Sequence, residues 1–141
     1  MSDGIIRLKF DILPNDMSAA GEASSGVKKV LNQLGVEPQK IKKAAIAMYE
    51  AEINAVIHGG GGIAEVVIDK EYIEVKIRDE GPGIADIELA MQEGYSTASD
   101  EIREMGFGAG MGLPNMKRYS DKLVIESEVG KGTTVTIVVN L

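Results

Sequence analysis

The spacing of apolar and polar positions changes several times along the chain, and each change marks an element. Ile5 to Leu13 alternates loosely and predicts a strand, ended by Pro14-Asn15-Asp16. From about Ser18 to Leu34 the spacing is helical, with Val27, Val30, Leu31 and Leu34 as the apolar stripe and Gly35 as a stop. Pro38 to His58 predicts a second, longer helix that ends in Gly59-Gly60-Gly61-Gly62. Each glycine inside a helix costs roughly 1 kcal/mol relative to alanine, so the run does not extend it. Two strands follow, with Ala64, Val66 and Ile68 on one face of the first. Ile73, Val75 and Ile77 share a face of the second, and Lys70-Glu71 sits at the hairpin turn. Asp79 to Leu113 is glycine-rich and irregular, with one short helical pattern around Asp86 to Gln92. A helix is predicted from about Pro114 to Tyr119, with proline where its missing N–H does no harm. Leu123 to Glu128 and Thr133 to Asn140 close the chain as two strands joined across Gly130-Lys131-Gly132.

The order is therefore β, α, α, β, β, a long loop, α, β, β. It lacks the regular βαβ alternation of a doubly wound fold and suits an antiparallel or mixed sheet covered by helices on one face. A loop as long as Asp79 to Leu113 inside a compact domain is usually a lid or a binding loop. The 141 residues correspond to one domain, 1–141, large enough for a core without disulfides or a structural metal.

Composition narrows the chemistry. The net charge of −7 argues against nonspecific nucleic-acid or membrane-surface binding. Zero cysteines exclude a disulfide scaffold, a Cys-ligated zinc site and a thiol nucleophile. One histidine excludes multi-His metal sites. No signal-peptide layout or long apolar run is present, so the expected location is cytoplasmic.

Three clusters carry candidate chemistry. On the second helix Glu50, Asn54 and His58 recur every four residues and span roughly an 80° arc, beside Ile46, Ile53 and Ile57. An acid and an amide thus lie along the edge of an apolar stripe, either as functional groups or as ordinary surface residues on a wet edge. Glu52 projects to the opposite side and reads as a solvated acid. The second cluster, Asp79-Glu80-Gly81-Pro82-Gly83-Ile84, follows an apolar strand. Its carboxylate can accept from a ligand amino group, its glycines allow close backbone approach, and the same residues also suit a plain turn. The third is Gly106-Phe107-Gly108-Ala109-Gly110-Met111-Gly112-Leu113 ahead of a helix, a run whose backbone N–H groups suit an anion or, failing that, a flexible hinge. It is neither a P-loop nor a dinucleotide fingerprint.

Together, Glu50-x-x-x-Asn54-Ala55-x-x-His58, Asp79-x-Gly81-x-Gly83, Gly108-x-Gly110-x-Gly112 and Gly132-Thr133-Thr134 resemble the GHKL ATPases over about residues 41 to 138. That superfamily holds gyrase B, the Hsp90 chaperones, histidine kinases and MutL. The resemblance implies the Bergerat fold: an α/β (α+β) two-layer sandwich with a mixed, mostly antiparallel sheet, helices on one face and an ATP lid, here about 84–112. Within it, the stretches 54–59, 83–97 and Gly110-Met111-Gly112-Leu113-Pro114 with Lys117-Arg118 resemble the small bacterial anti-sigma-factor serine kinases of the RsbT, RsbW and SpoIIAB type, RsbT most of all. The four-glycine run and the charged stretch 98–105 depart from that pattern.

The resemblance implies roles. Asn54 would coordinate Mg2+ (magnesium), and Glu50 would be the general base. Asp79 would accept from the adenine amino group of ATP, with Gly81 and Gly83 allowing close approach. Gly108, Gly110 and Gly112 would bind the phosphates, and Thr133 or Thr134, with preference for Thr134, would sit behind the adenine. His58 reads as a packing residue, and Met91, Met105, Met111 and Met116 as ordinary packing or an adaptable partner surface. The expected function is an ATP-dependent protein serine/threonine kinase that phosphorylates a STAS-domain anti-sigma-factor antagonist. The alternative is a nucleotide-gated binding module that sequesters a sigma factor or other regulator. Partners expected are therefore proteins, with a homodimer among them, and neither nucleic acid nor membrane.

Overall fold

The computed structural model describes residues 5–13, 20–57, 60–83 and 112–141. Its elements are β1 (Ile6–Ile12), α1 (Glu22–Gln33), α2 (Pro38–Ile57), β2 (Gly62–Ile68), β3 (Tyr72–Asp79), α3 (Gly112–Arg118), β4 (Lys122–Glu128) and β5 (Gly132–Asn140). The five strands form one sheet in the order β1-β2-β3-β5-β4. All four pairings are antiparallel, so the mixed character expected of the sheet has no counterpart among the described residues.

One face of this sheet is dry. Ala64, Val66 and Ile68 pair across it with Ile77, Val75 and Ile73, and the last two of these pair with Ile137 and Val139. All eight are at most 3 % exposed. The helices cover this face. At full burial a Val, Leu or Ile side chain contributes roughly 1.5–3 kcal/mol, so this layer is a major part of the core.

α2 is the central helix. Its sheet-facing side is Ile41, Ala44, Ala47, Met48, Ala51 and Ala55, all buried. The stripe suggested by the large residues differs from this, for Ile46 is only half-buried and Ile53 lies at the margin of the core. The reason is packing: small residues let the helix backbone settle close to the sheet, so here alanine, not isoleucine, marks the buried side.

α1 starts at Glu22, four residues later than its expected start at Ser18. It ends as expected, with Gly35 N–H bonded to Asn32 O (3.1 Å) and Val36 N–H to Leu31 O (3.1 Å), a Schellman closure. Val27 and Leu31 are buried, whereas Leu34 caps the helix and is 49 % exposed. Hairpin turns join β2 to β3 through Asp69–Glu71, where Asp69 N–H bonds to Tyr72 O, and β4 to β5 through Val129–Lys131. Lys43 of α2 pairs with Asp121 at 2.7 Å, and Asp121 also accepts the Asn140 N–H at 2.7 Å. These bonds fasten α2 to the end of the sheet remote from Asp79.

Candidate functional site

The site is built at the edge where α2, β3 and β5 meet. Gly61 N–H bonds back to Ala55 O at 2.9 Å, and Gly62 then lies against Arg78 and Asp79. The last turn of α2, which carries Asn54, and the end of β3 therefore share one edge of the sheet. A Cβ at Gly62 would collide with the Arg78 carbonyl oxygen, and one at Gly132, where φ is +125°, with the Asp79 carbonyl oxygen. Two glycines thus clasp the backbone at Arg78–Asp79 from both sides, which accounts for the last glycine of the 59–62 run.

Asp79 ends β3 and lies opposite Thr133 of β5 in the ladder, on the dry face that also carries Ile77. Its Oδ1 accepts the Gly81 N–H at 2.9 Å and the Thr133 N–H at 3.3 Å. The first bond closes an Asx turn that sends the chain toward Gly83. There the Pro82 carbonyl accepts the Gly130 N–H at 2.9 Å, and Gly83, with φ +80°, packs against the Glu128 carbonyl. Among the described residues both donors to Asp79 fall on the same oxygen, Oδ1.

Thr133 is 6 % exposed, and its hydroxyl lies 2.8 Å from that of Ser127 on β4. Ser127 Oγ also donates to the Gly132 carbonyl at 3.2 Å. Thr134 points the other way. It pairs with Arg78 and Glu126 on the face without helices. Strand alternation thus puts Thr133, and not the preferred Thr134, on the side of Asp79.

Glu50 and Asn54 lie one turn apart on α2, and both are half-buried. Burial pushes the Glu50 carboxyl above its ordinary value, and a hydrogen bond with the Asn115 side chain of α3 offsets part of that rise. The Tyr49 hydroxyl is also raised, first by burial and then by the Glu50 and Glu52 charges. Asn115 carried no signal in the sequence, because nothing in its residue type ties it to a helix 65 positions away. Met116 beside it is fully buried, an ordinary core residue. Gly112 begins α3. Gly108, Gly110, His58, Met91, Met105 and Met111 lie outside the described residues.

Glu52 is the main correction. It is not a solvated acid: it is 3 % exposed, and its carboxylate receives three backbone N–H groups at the start of α1. Oε2 accepts from Gly21 at 3.0 Å and Ala23 at 3.1 Å, and Oε1 from Ser24 at 3.1 Å. α1 has glycine at its N-cap and no side-chain cap of its own. A helix that starts without Ser, Thr, Asp or Asn leaves its first N–H groups unpaired, so a distant acceptor must supply them.

The donor set fits a nucleotide and its cation. Asp79 is an acceptor at a strand end, hemmed by backbone that only glycine permits. Asn54 supplies a neutral amide oxygen, which suits a hard cation already bound to phosphate. Among the described residues no three His, Asp or Glu side chains cluster to hold a metal unaided. No described helix is long and apolar enough to cross a membrane.

Residues 40–141 match the model of the histidine kinase-, DNA gyrase B- and HSP90-like ATPase family. The anti-sigma F factor of Geobacillus stearothermophilus is 37 % identical over 109 residues, which cover 73 % of this chain and 71 % of the relative. That of Geobacillus sp. (strain WCH70) is 35 % identical over 136 residues, 92 % of this chain and 88 % of the relative. Among solved structures, the RsbU and RsbW domains of Rv1364c from Mycobacterium tuberculosis superpose with TM-score 0.65 at 18 % identity. The match covers 95 % of this chain and 32 % of that longer one. SiaB in the SiaB–SiaC complex of Pseudomonas aeruginosa gives TM-score 0.61 at 14 % identity, covering 98 % and 91 %. At these identities the two structures speak for the fold alone.

Proposed function

Because the chain belongs to the histidine kinase-, DNA gyrase B- and HSP90-like ATPase family, we propose that it is an ATP-dependent protein serine/threonine kinase of the anti-sigma regulatory type. Its substrate is a serine or threonine on a STAS-domain anti-sigma-factor antagonist. The observation that carries the reading is the Asp79 carboxylate, bonded through Oδ1 to Gly81 and Thr133 and held by flanking glycines at the edge that also receives the Asn54 turn.

In this reading Asp79 Oδ2 accepts the adenine amino group, and Gly81 and Gly83 let the base lie close to the backbone. Asn54 holds the Mg2+ that accompanies the triphosphate, a cation that neutralises phosphate charge. Gly108, Gly110 and Gly112 donate N–H groups to the phosphates from the lid, about 84–112, which closes over a single domain spanning 1–141. Glu50 takes the proton of the attacking hydroxyl. Its burial favours that role, since a carboxylate with raised affinity for a proton is the better base. Positioning dominates phosphoryl transfer, so the distance and direction of Glu50 weigh more than its basicity.

The relatives' name favours a second, overlapping reading, in which the protein sequesters a sigma factor and nucleotide gates the complex. A homodimer and a cytoplasmic location accompany either reading. Calorimetry of Mg·ATP on the wild type, Asn54→Ala and Asp79→Ala tests the site. The expected result is binding that Asp79→Ala abolishes and that loses its magnesium dependence in Asn54→Ala. No wild-type binding at millimolar nucleotide overturns both readings. Glu50→Ala separates them, because it abolishes transfer to a STAS protein and spares nucleotide-gated binding.

A further inference from the structure

Ser127 lies opposite Thr133 in the β4–β5 ladder, half-buried, and the proposed reaction makes no use of it. A hydroxyl has one proton to give and two lone pairs to accept with. Ser127 gives its proton to the Gly132 carbonyl at 3.2 Å. The 2.8 Å bond between the two hydroxyls must then take its proton from Thr133. The Thr133 N–H is already on Asp79 Oδ1 at 3.3 Å. Both protons of Thr133 are thus committed within the protein, and what it turns toward a ligand is lone pairs. Asp79 beside it also only accepts. The wall formed by these two residues therefore accepts hydrogen bonds and donates none.

We propose that Ser127 is a positioning residue for base recognition: by taking the Thr133 proton it keeps the Asp79–Thr133 wall acceptor-only, which admits a 6-amino purine and rejects a 6-oxo purine. The inference rests on the nucleotide reading of the site. A 6-amino group, directly or through one water, brings protons to this wall. At position 6 a 6-oxo group brings a lone pair against lone pairs, and its N1–H lies one position further along the base edge and does not relieve that contact, so polar groups stay unpaired in a confined space. Without the Ser127 hydroxyl, Thr133 is free to rotate and donate, and the 6-oxo purine gains a partner.

The test compares Mg·ATP with Mg·ITP, which differ at the purine 6 position and in the proton that the 6-oxo base carries on N1, and neither of which has a 2-amino group. Dissociation constants are measured by calorimetry on the wild type, Ser127→Ala and Ser127→Thr, together with each melting temperature. The wild type is expected to prefer ATP. Ser127→Ala is expected to lower the ITP-to-ATP ratio of dissociation constants by roughly tenfold, and Ser127→Thr, which restores a hydroxyl, to return it. A purely structural Ser127 would lower the melting temperature and weaken both nucleotides alike; an unchanged ratio in Ser127→Ala overturns the proposal. Equal wild-type affinity for the two nucleotides overturns it as well. If the wild type binds ATP and the ratio does not move, this inference alone falls. If the wild type binds neither nucleotide, the nucleotide reading falls with it.

Discussion

Replacing Glu52 with alanine removes the acceptor for three N–H groups at once, and the structure sets the scale of the loss. Of the three bonds, those from Ala23 and Ser24 are buried, and that from Gly21 is partly so. A buried donor left without a partner costs about 1–3 kcal/mol, whereas one that water can reach costs little. Two buried donors therefore give about 2–6 kcal/mol, and partial opening of the first turn of α1 holds the figure near 3–4 kcal/mol, above the ~1 kcal/mol of an ordinary lost cap. Glu52→Gln is milder. With its oxygen in the place of Oε2 it keeps Gly21 and Ala23, but its amide N–H2 then faces the Ser24 N–H, which costs about 2 kcal/mol. Domains of this size have about 5–15 kcal/mol in all, so alanine removes a large fraction. Urea unfolding measures both values, with an unchanged m-value expected because the surface exposed on unfolding is the same. Amide exchange at Ala23 and Ser24 should accelerate ahead of the rest of the core, while Mg·ATP affinity of the folded variants stays within about twofold, since the Glu52 carboxylate is turned to the start of α1. An alanine variant that loses less than about 1 kcal/mol, or that keeps Ala23 and Ser24 protected, refutes the clamp.

Three further outcomes follow from particular contacts. Gly132→Ala, at φ +125° with its Cβ driven into the Asp79 carbonyl, should cost several kcal/mol in thermal or urea unfolding, while Gly130→Ala, at φ +83° in open space, should cost only about 1 kcal/mol. Asp121 has its carboxyl held below the ordinary value, first by the Lys43 hydrogen bond and then by the Asn140 N–H. Its contribution is therefore complete above the unfolded value, here 3.8, and lost as pH falls through the lower folded value. Asp121→Asn should flatten that acid limb, by less than about 1 kcal/mol for so accessible a pair. Asn115→Leu removes the hydrogen bond that partly offsets burial of Glu50, so the Glu50 carboxyl should titrate at higher pH than in the wild type, read from its side-chain carbon resonance.

The strands were legible because they rest on local rules. Period-two alternation gave the dry faces at Ala64–Ile68 and Ile73–Ile77, and the structure pairs those residues across the sheet. Pro38 and Gly35 gave a helix start and a helix stop. What depended on distant neighbours was not legible. The face of α2 that meets the sheet is rich in alanine, a residue with little hydrophobic signal of its own, so the larger isoleucines drew the stripe to a different side. Thr133 and Thr134 are equal in local sequence. Only the ladder partner, Asp79 for one and Arg78 for the other, separates them. Asn115 and Ser127 enter the site through tertiary contacts that no local pattern encodes.

The two acids of α2 show how one helix serves fold and site together. Glu50 and Glu52 are two residues apart, so they project about 200° from each other. A helix packed on one side only would leave at least one of them in water. α2 instead meets the sheet, α1 and α3, and each acid lands on a different helix neighbour. Glu52 meets the bare start of α1 and finds three donors, so its charge is spent holding two helices together. Glu50 meets α3 and finds one amide, Asn115, which satisfies it in part. A carboxylate that accepts three backbone N–H groups is held in place by the fold, and one with a single side-chain partner keeps more of its oxygens open to a ligand. The number of donors each acid finds, set by which helix it faces, thus decides which is structural and which is available for chemistry. The expectation that Glu52 is solvated failed because its partners lie on α1, 28 to 31 positions away in the chain.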